Sequence, residues 1–183
     1  MKSNIHKWDA WYGNLKKIPL FYGKTITYEL GNKFLTDCNI VEDWGTGGGG
    51  FKTYRKNAIG VDGSDTQFAE KKFIDLTTYI SVCDGIFMRH VLEHNYEWQK
   101  ILQNAIMSAT KKICVVLFIP FNDFETKQIA YNSIGVPDLS IGRYEFYNII
   151  KEYPDFKYTS EELKTDTQYN YEQIIYMEKI NLK

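Results

Sequence analysis

The sequence predicts an α/β protein built on a doubly wound, mostly parallel sheet with helices on both faces. Three observations lead there. Short β-rich runs alternate with helical stretches along most of the 183-residue chain. One glycine-rich segment, VEDWGTGGGG from Val41 to Gly50, stands directly behind a strand, where open parallel sheets place their ligands. The last two strand-like runs have no helix between them, which predicts an antiparallel hairpin at one edge.

Taken in order, CNIVEDW (38 to 44) reads as a buried strand, FKTYRKN as a short helix or turn, and NAIGVD (57 to 62) as a second strand. Ser64 and Gln67 have capping-box spacing, so a helix is predicted to open right after that strand. KKFIDL (71 to 76) is the third predicted strand and DGIFMRH (84 to 90) the fourth. Trp98, Ile101, Leu102, Ala105, Ile106 and Ala109 recur at helical spacing and give an amphipathic helix. KKICVVLFIPF (111 to 121), a continuous β-branched run, is closed by Pro120. A loop follows, then a helix around SIGRYEFYNIIKEYP with Ser140 as its N-cap, then strands near FKYTSEELKTD and YEQIIYMEKI. Ahead of the first strand, Trp8, Trp11, Tyr12, Phe21, Tyr22, Tyr28 and Phe34 mark an appended helix or two. Such rings either dock a helix on the sheet or, at Tyr12 or Tyr22, close over a ligand.

The length fits one domain over 1 to 183, with 1 to 37 as an N-terminal helical extension or lid. A net charge of -1 gives no global electrostatic reason for nucleic acid or anionic membrane to bind. The first residues lack an apolar core of signal-peptide length, and no run approaches the roughly 18 apolar residues of a membrane span. A cytoplasmic location is therefore expected. Cys38, Cys83 and Cys114 are odd in number and outside any C-x-x-C spacing, which predicts small buried apolar residues rather than a disulfide framework or a zinc site. With 14 Tyr and 11 Phe, aromatics are in excess, as suits either a ring-rich core or a ring-walled pocket. The oligomeric state is left open by the sequence.

Three ligands compete for the glycine stretch. A phosphate-binding P-loop needs G-K-[ST], but Gly50 is followed by Phe51, Lys52 and Thr53. A dinucleotide loop needs G-x-G-x-x-G, which Gly45, Gly47 and Gly50 satisfy, and an acid about 20 residues on, which Asp62 nearly satisfies. Against it, Glu42 and Asp43 would stand close to an anionic pyrophosphate, where like charges are costly. S-adenosylmethionine turns those acids into an asset, because it carries an ammonium group and a sulfonium and no phosphate. Asp43 would then help to hold its methionine moiety, and Asp62 would accept from its ribose hydroxyls.

At these residues the chain resembles the class I (Rossmann-like) S-adenosylmethionine-dependent methyltransferases, small-molecule branch, from about residue 20 onward. VEDWGTGGG resembles the first motif of that family, IGVDGS the second, FIDLT the third, and DGIFMRHVLEHN the fourth strand with its HVLEH turn. The resemblance implies seven strands with the last antiparallel. It also implies cofactor contacts at Asp43, Trp44, Gly45, Thr46, Gly47, Gly49, Asp62 and Gly63, at Asp75 and the Leu76 backbone for the adenine, and at Arg89. Two departures mark a divergent member: Thr46 stands where a cysteine is common, and SATKKICVV lacks the LKPGG turn before the fifth strand.

His90 and His94 stand four apart and would share a helical face, as two zinc ligands do, yet no H-E-x-x-H occurs and further ligands are wanting, so no metal site is assigned. They are instead the nearest candidates for a general base. The function read from the sequence is methyl transfer from S-adenosyl-L-methionine by in-line displacement to a small-molecule, sugar-like or lipid-like acceptor, at oxygen or nitrogen. IPFNDF (119 to 124) is a candidate substrate wall, and FMRH stands where base-amine methyltransferases carry N/D-P-P-Y/F, which argues against nucleic acid. The rival readings are an NAD-dependent oxidoreductase and a non-catalytic S-adenosylmethionine-binding domain.

Overall fold

A computed structural model describes residues 4–12, 22–23 and 26–180; Phe21 lies outside them. The sheet elements are β1 (Val41–Trp44), β2 (Ile59–Val61), β3 (Cys83–Arg89), β4 (Ala109–Leu117), β5 (Lys127–Tyr131), β6 (Pro137–Ser140), β7 (Phe156–Lys164) and β8 (Tyr171–Lys179). The helices are α1 (Ile5–Tyr12), α2 (Ile26–Phe34), α3 (Trp98–Ser108) and α4 (Arg143–Lys151). Six strands form one mixed sheet in the order β2-β1-β3-β4-β8-β7. The four on one side run parallel, and β8 and β7 add the antiparallel edge hairpin.

The continuous apolar runs of β3 and β4 are explained by burial on both faces. Ile86, Met88, Ile113 and Val115 join Trp98, Leu102 and Phe146 of α3 and α4 on one face. The alternate residues Phe87, Cys114 and Val116 join Tyr28 and Leu35 in and just after α2, and Phe51, on the other. Helix α2 lies close to the sheet because Gly31 has no side chain: a Cβ there would sit 2.4 Å from the Phe87 ring. All three cysteines are free and buried. No helix among the described residues is long and apolar enough to cross a membrane.

Four details differ from the sequence reading. The segment from 71 to 76 is not a strand of the sheet, which has six strands where seven were expected; Lys71 alone bridges to Val61. Lys71 N donates to Gly60 O at 3.0 Å and Asp62 N to Lys71 O at 2.9 Å, and then Phe73, left-handed at φ 57 and 67% exposed, turns the chain away. No helix opens after Asp62. Ser64 spends its amide and hydroxyl backward, both donating to Asp62 Oδ1 at 2.8 and 2.7 Å, so it caps nothing ahead of it. Helix α4 begins two residues later than read, with Gly142 rather than Ser140 at the N-cap, because Ser140 belongs to β6 and accepts from Asn122 Nδ2. The loop expected after β4 contains a hairpin, β5 paired antiparallel with β6.

The topology sets the place of a site. From β1 the chain moves outward to β2, then returns to the far side of β1 as β3, so the strand order reverses between β1 and β3. Register pairs Trp44 with Val61 on one side and with Met88 on the other. The carboxyl ends of the three strands therefore stand level, and Gly45, Asp62 and Arg89 leave them side by side.

Candidate functional site

A cavity of about 670 Å³ opens beyond those strand ends. One end is walled by Gly45, Thr46, Gly47, Asp62, Gly63, Asp75 and Leu76, and the other by Arg89, His90, His94, Phe118 and Asp138.

At the first end the backbone passes through left-handed conformations at Gly45 (φ 72), Gly47 (φ 46) and Gly49 (φ 74), which side chains rarely adopt. Gly47 N donates to Asp62 Oδ2 at 2.8 Å, and Thr66 Oγ1 donates to Gly47 O at 2.6 Å, so the loop after β1 is fastened to the loop after β2. A Cβ on Gly47 would lie 2.7 Å from the Tyr12 hydroxyl, and one on Gly50 would lie 2.5 Å from the Tyr28 hydroxyl. The fourth glycine of the run is thus required by a buried tyrosine of α2. Asp75 lines the cavity while its Oδ1 accepts from Thr77 N at 2.9 Å, and the Leu76 carbonyl accepts from Asn104 Nδ2 at 2.9 Å.

Three of the expected contact residues stand behind this wall rather than on it. Trp44 is fully buried, its ring in the core and its Nε1 donating to Glu42 Oε2 at 2.7 Å. Gly49 packs against the Phe68 ring. Asp43 is buried and accepts from Thr46 Oγ1 at 2.7 Å. Burial, together with the charge of Asp62, pushes its carboxyl up to about 7 against the Thr46 hydrogen bond. Asp62 is likewise raised by burial, with the hydrogen bonds from Ser64 and Gly47 opposing. Glu42 is spent elsewhere, on Lys71 at 2.6 Å and on Ser81 and Trp44. Of the two acids ahead of the glycines, only Asp43 is tied to the glycine loop, through Thr46.

At the second end every nitrogen of Arg89 is engaged. It donates to Glu172 Oε1 and Tyr22 O, both at 2.6 Å, to Thr27 Oγ1 at 3.0 Å and to the Tyr28 hydroxyl at 3.1 Å. It lines the cavity as a clamp joining α2, β3 and β8. His90, left-handed at φ 58, directs Nε2 to the same Glu172 oxygen and packs its ring against Tyr22 and Phe118. Burial and the positive charges of Arg89 and His94 hold His90 well below its ordinary value, so we assign it as the neutral Nε2–H tautomer. Its Nδ1 makes no hydrogen bond to a described residue. His94 presents Nδ1 to Pro137 O at 3.0 Å and to Asp138 Oδ1 at 3.4 Å. Burial pulls His94 down, but the nearby Asp138 and Glu93 carboxylates and the Pro137 carbonyl outweigh it and the pKa is raised. Glu93, fully buried and pushed by burial up to about 7, props the wall by accepting from Phe118 N at 2.7 Å. Because the two histidines turn to different carboxylates, they form no three-ligand metal cluster among the described residues.

The sequence reading missed Glu172, Asp138 and the wall residue Phe118. Glu172 sits in YEQIIYMEK, where an acid alternating with apolar residues reads as solvent-facing, yet it is fully buried. Helix α1 has no buried residue, and its Ile5, Trp8, Trp11 and Tyr12 line the cavity. Trp8 stacks on Tyr12 at 5.6 Å and meets the His94 ring at 5.2 Å, Lys7 donates to Gly135 O, and Asp9 accepts from Asp65 N at 2.8 Å.

No protein-family model and no curated protein matches the chain. Among solved structures it is similar to magnesium protoporphyrin IX methyltransferase from Synechocystis PCC 6803 with bound SAH, at 15% identity and TM-score 0.60 over 85% of this chain and 82% of that one. It is similar to 1,6-didemethyltoxoflavin-N1-methyltransferase from Burkholderia thailandensis, with bound 1,6-didemethyltoxoflavin and S-adenosylhomocysteine, at 11% identity and TM-score 0.66 over 85% and 77%. An S-adenosylmethionine-dependent methyltransferase from Thermotoga maritima matches at 13% identity and TM-score 0.61 over 96% of each chain. At these identities the likeness is one of fold, and the fold is that of the class I S-adenosylmethionine-dependent methyltransferases.

Proposed function

We propose that the protein transfers a methyl group from S-adenosylmethionine to a small-molecule acceptor. One observation carries the choice of ligand: the glycine end of the cavity presents Asp62 and Asp75, with Asp43 behind them, and no lysine or arginine among its described lining. A pyrophosphate would meet carboxylates and no counter-charge there, whereas a ligand bearing an ammonium, a sulfonium and ribose hydroxyls meets acceptors. Asp62 accepts from the ribose, Gly45, Thr46 and Gly47 offer backbone to the methionine portion, and Gly63, Asp75 and Leu76 border the adenine. Asp43 acts from behind the wall through Thr46.

When bound, S-adenosylmethionine supplies a methyl carbon activated by its sulfonium. The residues of the chain have three tasks. The first is alignment: β1 lies between β2 and β3, so a ligand seated with its ribose at Asp62 and its methionine portion over Gly45 to Gly47 leads toward His90 at the end of β3. The second is proton removal: neutral His90, held by Glu172 through Nε2, takes the acceptor's proton on Nδ1. The third is exclusion of water, which falls to α1 and its Trp8 and Tyr12 rings. Arg89 positions Glu172 rather than touching the acceptor. Neutral nucleophiles at oxygen or nitrogen are both served by this arrangement. The three free, buried cysteines support work in a reducing compartment such as the cytoplasm.

Calorimetric titration with S-adenosylmethionine, S-adenosylhomocysteine and NAD tests the reading. The first two bind at micromolar levels and NAD does not. Binding of NAD alone overturns it, and a tightly held S-adenosylmethionine that no acceptor ever demethylates reduces the protein to a non-catalytic binding domain.

A further inference from the structure

The pair His94 and Asp138 has no part in the proton transfer assigned to His90. It is a second histidine and carboxylate couple at the acceptor end, built from different elements. Asp138 comes from β6, and its Oδ2 accepts from the Tyr169 hydroxyl at 3.1 Å in the turn between β7 and β8. His90 and His94 both pack on Phe118, with ring centroids 5.1 Å from it in each case and tilts of 50° and 35°. Both imidazoles therefore share one aromatic neighbour in the cavity wall. Tyr22 stands over it on the His90 side and Trp8 against the His94 ring, so the space is bounded by rings.

The two imidazoles offer opposite polarity. Nδ1 of His94 faces two acceptors, the Pro137 carbonyl at 3.0 Å and Asp138 Oδ1 at 3.4 Å, so that nitrogen carries a proton, and the carboxylate beside it favours the protonated ring. Its Nε2 makes no hydrogen bond to a described residue, and in the protonated ring it is an N–H donor at the cavity. His90 has the reverse arrangement, a proton on Nε2 toward Glu172 and a lone pair on Nδ1.

Resting on the methyltransferase reading, we infer that the acceptor is an aromatic hydroxyl compound carrying a second oxygen, carbonyl or carboxylate, with the hydroxyl placed at His90 and the second oxygen at His94. Transfer then balances as an O-methylation. The hydroxyl O–H breaks and its proton goes to His90 Nδ1. The oxygen forms the new bond to the methyl carbon as the carbon–sulfur bond breaks. The electron pair of that bond stays on sulfur, leaving a neutral thioether and an imidazolium beside Glu172. His94 keeps its proton throughout and serves to orient the acceptor and to favour ionisation of a conjugated hydroxyl.

The test uses the full chain saturated with S-adenosylhomocysteine, titrated with the ortho, meta and para hydroxybenzoates, the three hydroxyacetophenones, and the three cresols that lack the second oxygen. At least one oxygenated isomer is expected to bind about tenfold or more tightly than its cresol, the value of one hydrogen bond to a charged group. Benzoates and acetophenones distinguish the carboxylate from the carbonyl form. His94→Gln and, independently, Asp138→Asn are expected to bring that ratio close to one while S-adenosylhomocysteine affinity stays within about twofold, which certifies the fold. Equal affinity for cresols and oxygenated isomers, absence of all acceptor binding, or a ratio that persists in both variants overturns the inference and leaves the donor site standing. Failure of S-adenosylhomocysteine itself to bind removes the methyltransferase reading and this inference with it.

Discussion

One oxygen of Glu172, at the start of β8, receives both Arg89 and His90, the last residue of β3 and the one after it. The carboxylate is fully buried and Arg89 nearly so, and Thr27 donates to the second Glu172 oxygen at 3.1 Å. The arrangement joins fold and chemistry in one contact, because the group that neutralises a buried guanidinium also orients the imidazole.

Replacing one partner of such a pair strands the other charge in the interior. Glu172→Gln is expected to destabilise the protein by about 3 kcal/mol, read as a lower urea midpoint at unchanged slope. Its methyl transfer should fall even where the fold persists, since His90 loses its orienting acceptor.

His90→Ala removes the proposed base and leaves the glycine end of the cavity unaltered. The turnover number is expected to fall about 10²-fold or more for a hydroxyl acceptor, with S-adenosylhomocysteine affinity unchanged. A matching loss in His94→Ala, in place of a rise in the acceptor KM, would reassign the base.

The pH dependence of stability follows from buried carboxylates. Asp43 and Glu93 are both raised to about 7 in the fold. A raised folded value stabilises fully below the unfolded value and is lost as pH rises through the folded one. The raised His94 acts in the same direction, while the lowered His90 opposes it, its contribution fading as pH falls below its unfolded value. Thermal stability is therefore expected to be lower at pH 8 than at pH 6. Asp43→Asn should remove about 1 kcal/mol of that difference, as measured by unfolding at the two pH values.

Gly50→Ala tests the packing explanation of the fourth glycine. Its new methyl meets the Tyr28 phenol, which also receives Arg89, so a loss of about 1 to 3 kcal/mol is expected from overpacking. The loss should show in unfolding experiments with donor affinity little changed, since Gly50 does not line the cavity.

What was legible in the sequence is what rests on local pattern. The apolar runs of β3 and β4 and the helical spacing from Trp98 reflect burial that repeats every few residues. The glycines at 45 and 47 were legible because their backbone geometry has few other uses. The strand predicted over 71 to 76 failed on one residue, Phe73, whose left-handed turn no propensity announces. The helix predicted after Asp62 failed because Ser64 had a nearer partner than the amides ahead. Glu172 and Asp138 were hidden for a different reason. Each meets a partner from a distant element, Arg89 from β3 and His94 from the turn that follows, and neither contact leaves a trace in the local spacing of β8 or β6.

Asp62 and the glycine turn are proposed to hold the ribose and methionine portions of a methyl donor. Side-by-side calorimetry of S-adenosylhomocysteine with the natural chain and with Asp62→Ala tests that proposal most directly. Micromolar binding is expected in the natural chain, weakened by about 1.5 to 3 kcal/mol in the variant, the worth of hydrogen bonds to a charged acceptor. Equal affinity in the two proteins, or binding by NAD in place of S-adenosylhomocysteine, would contradict it.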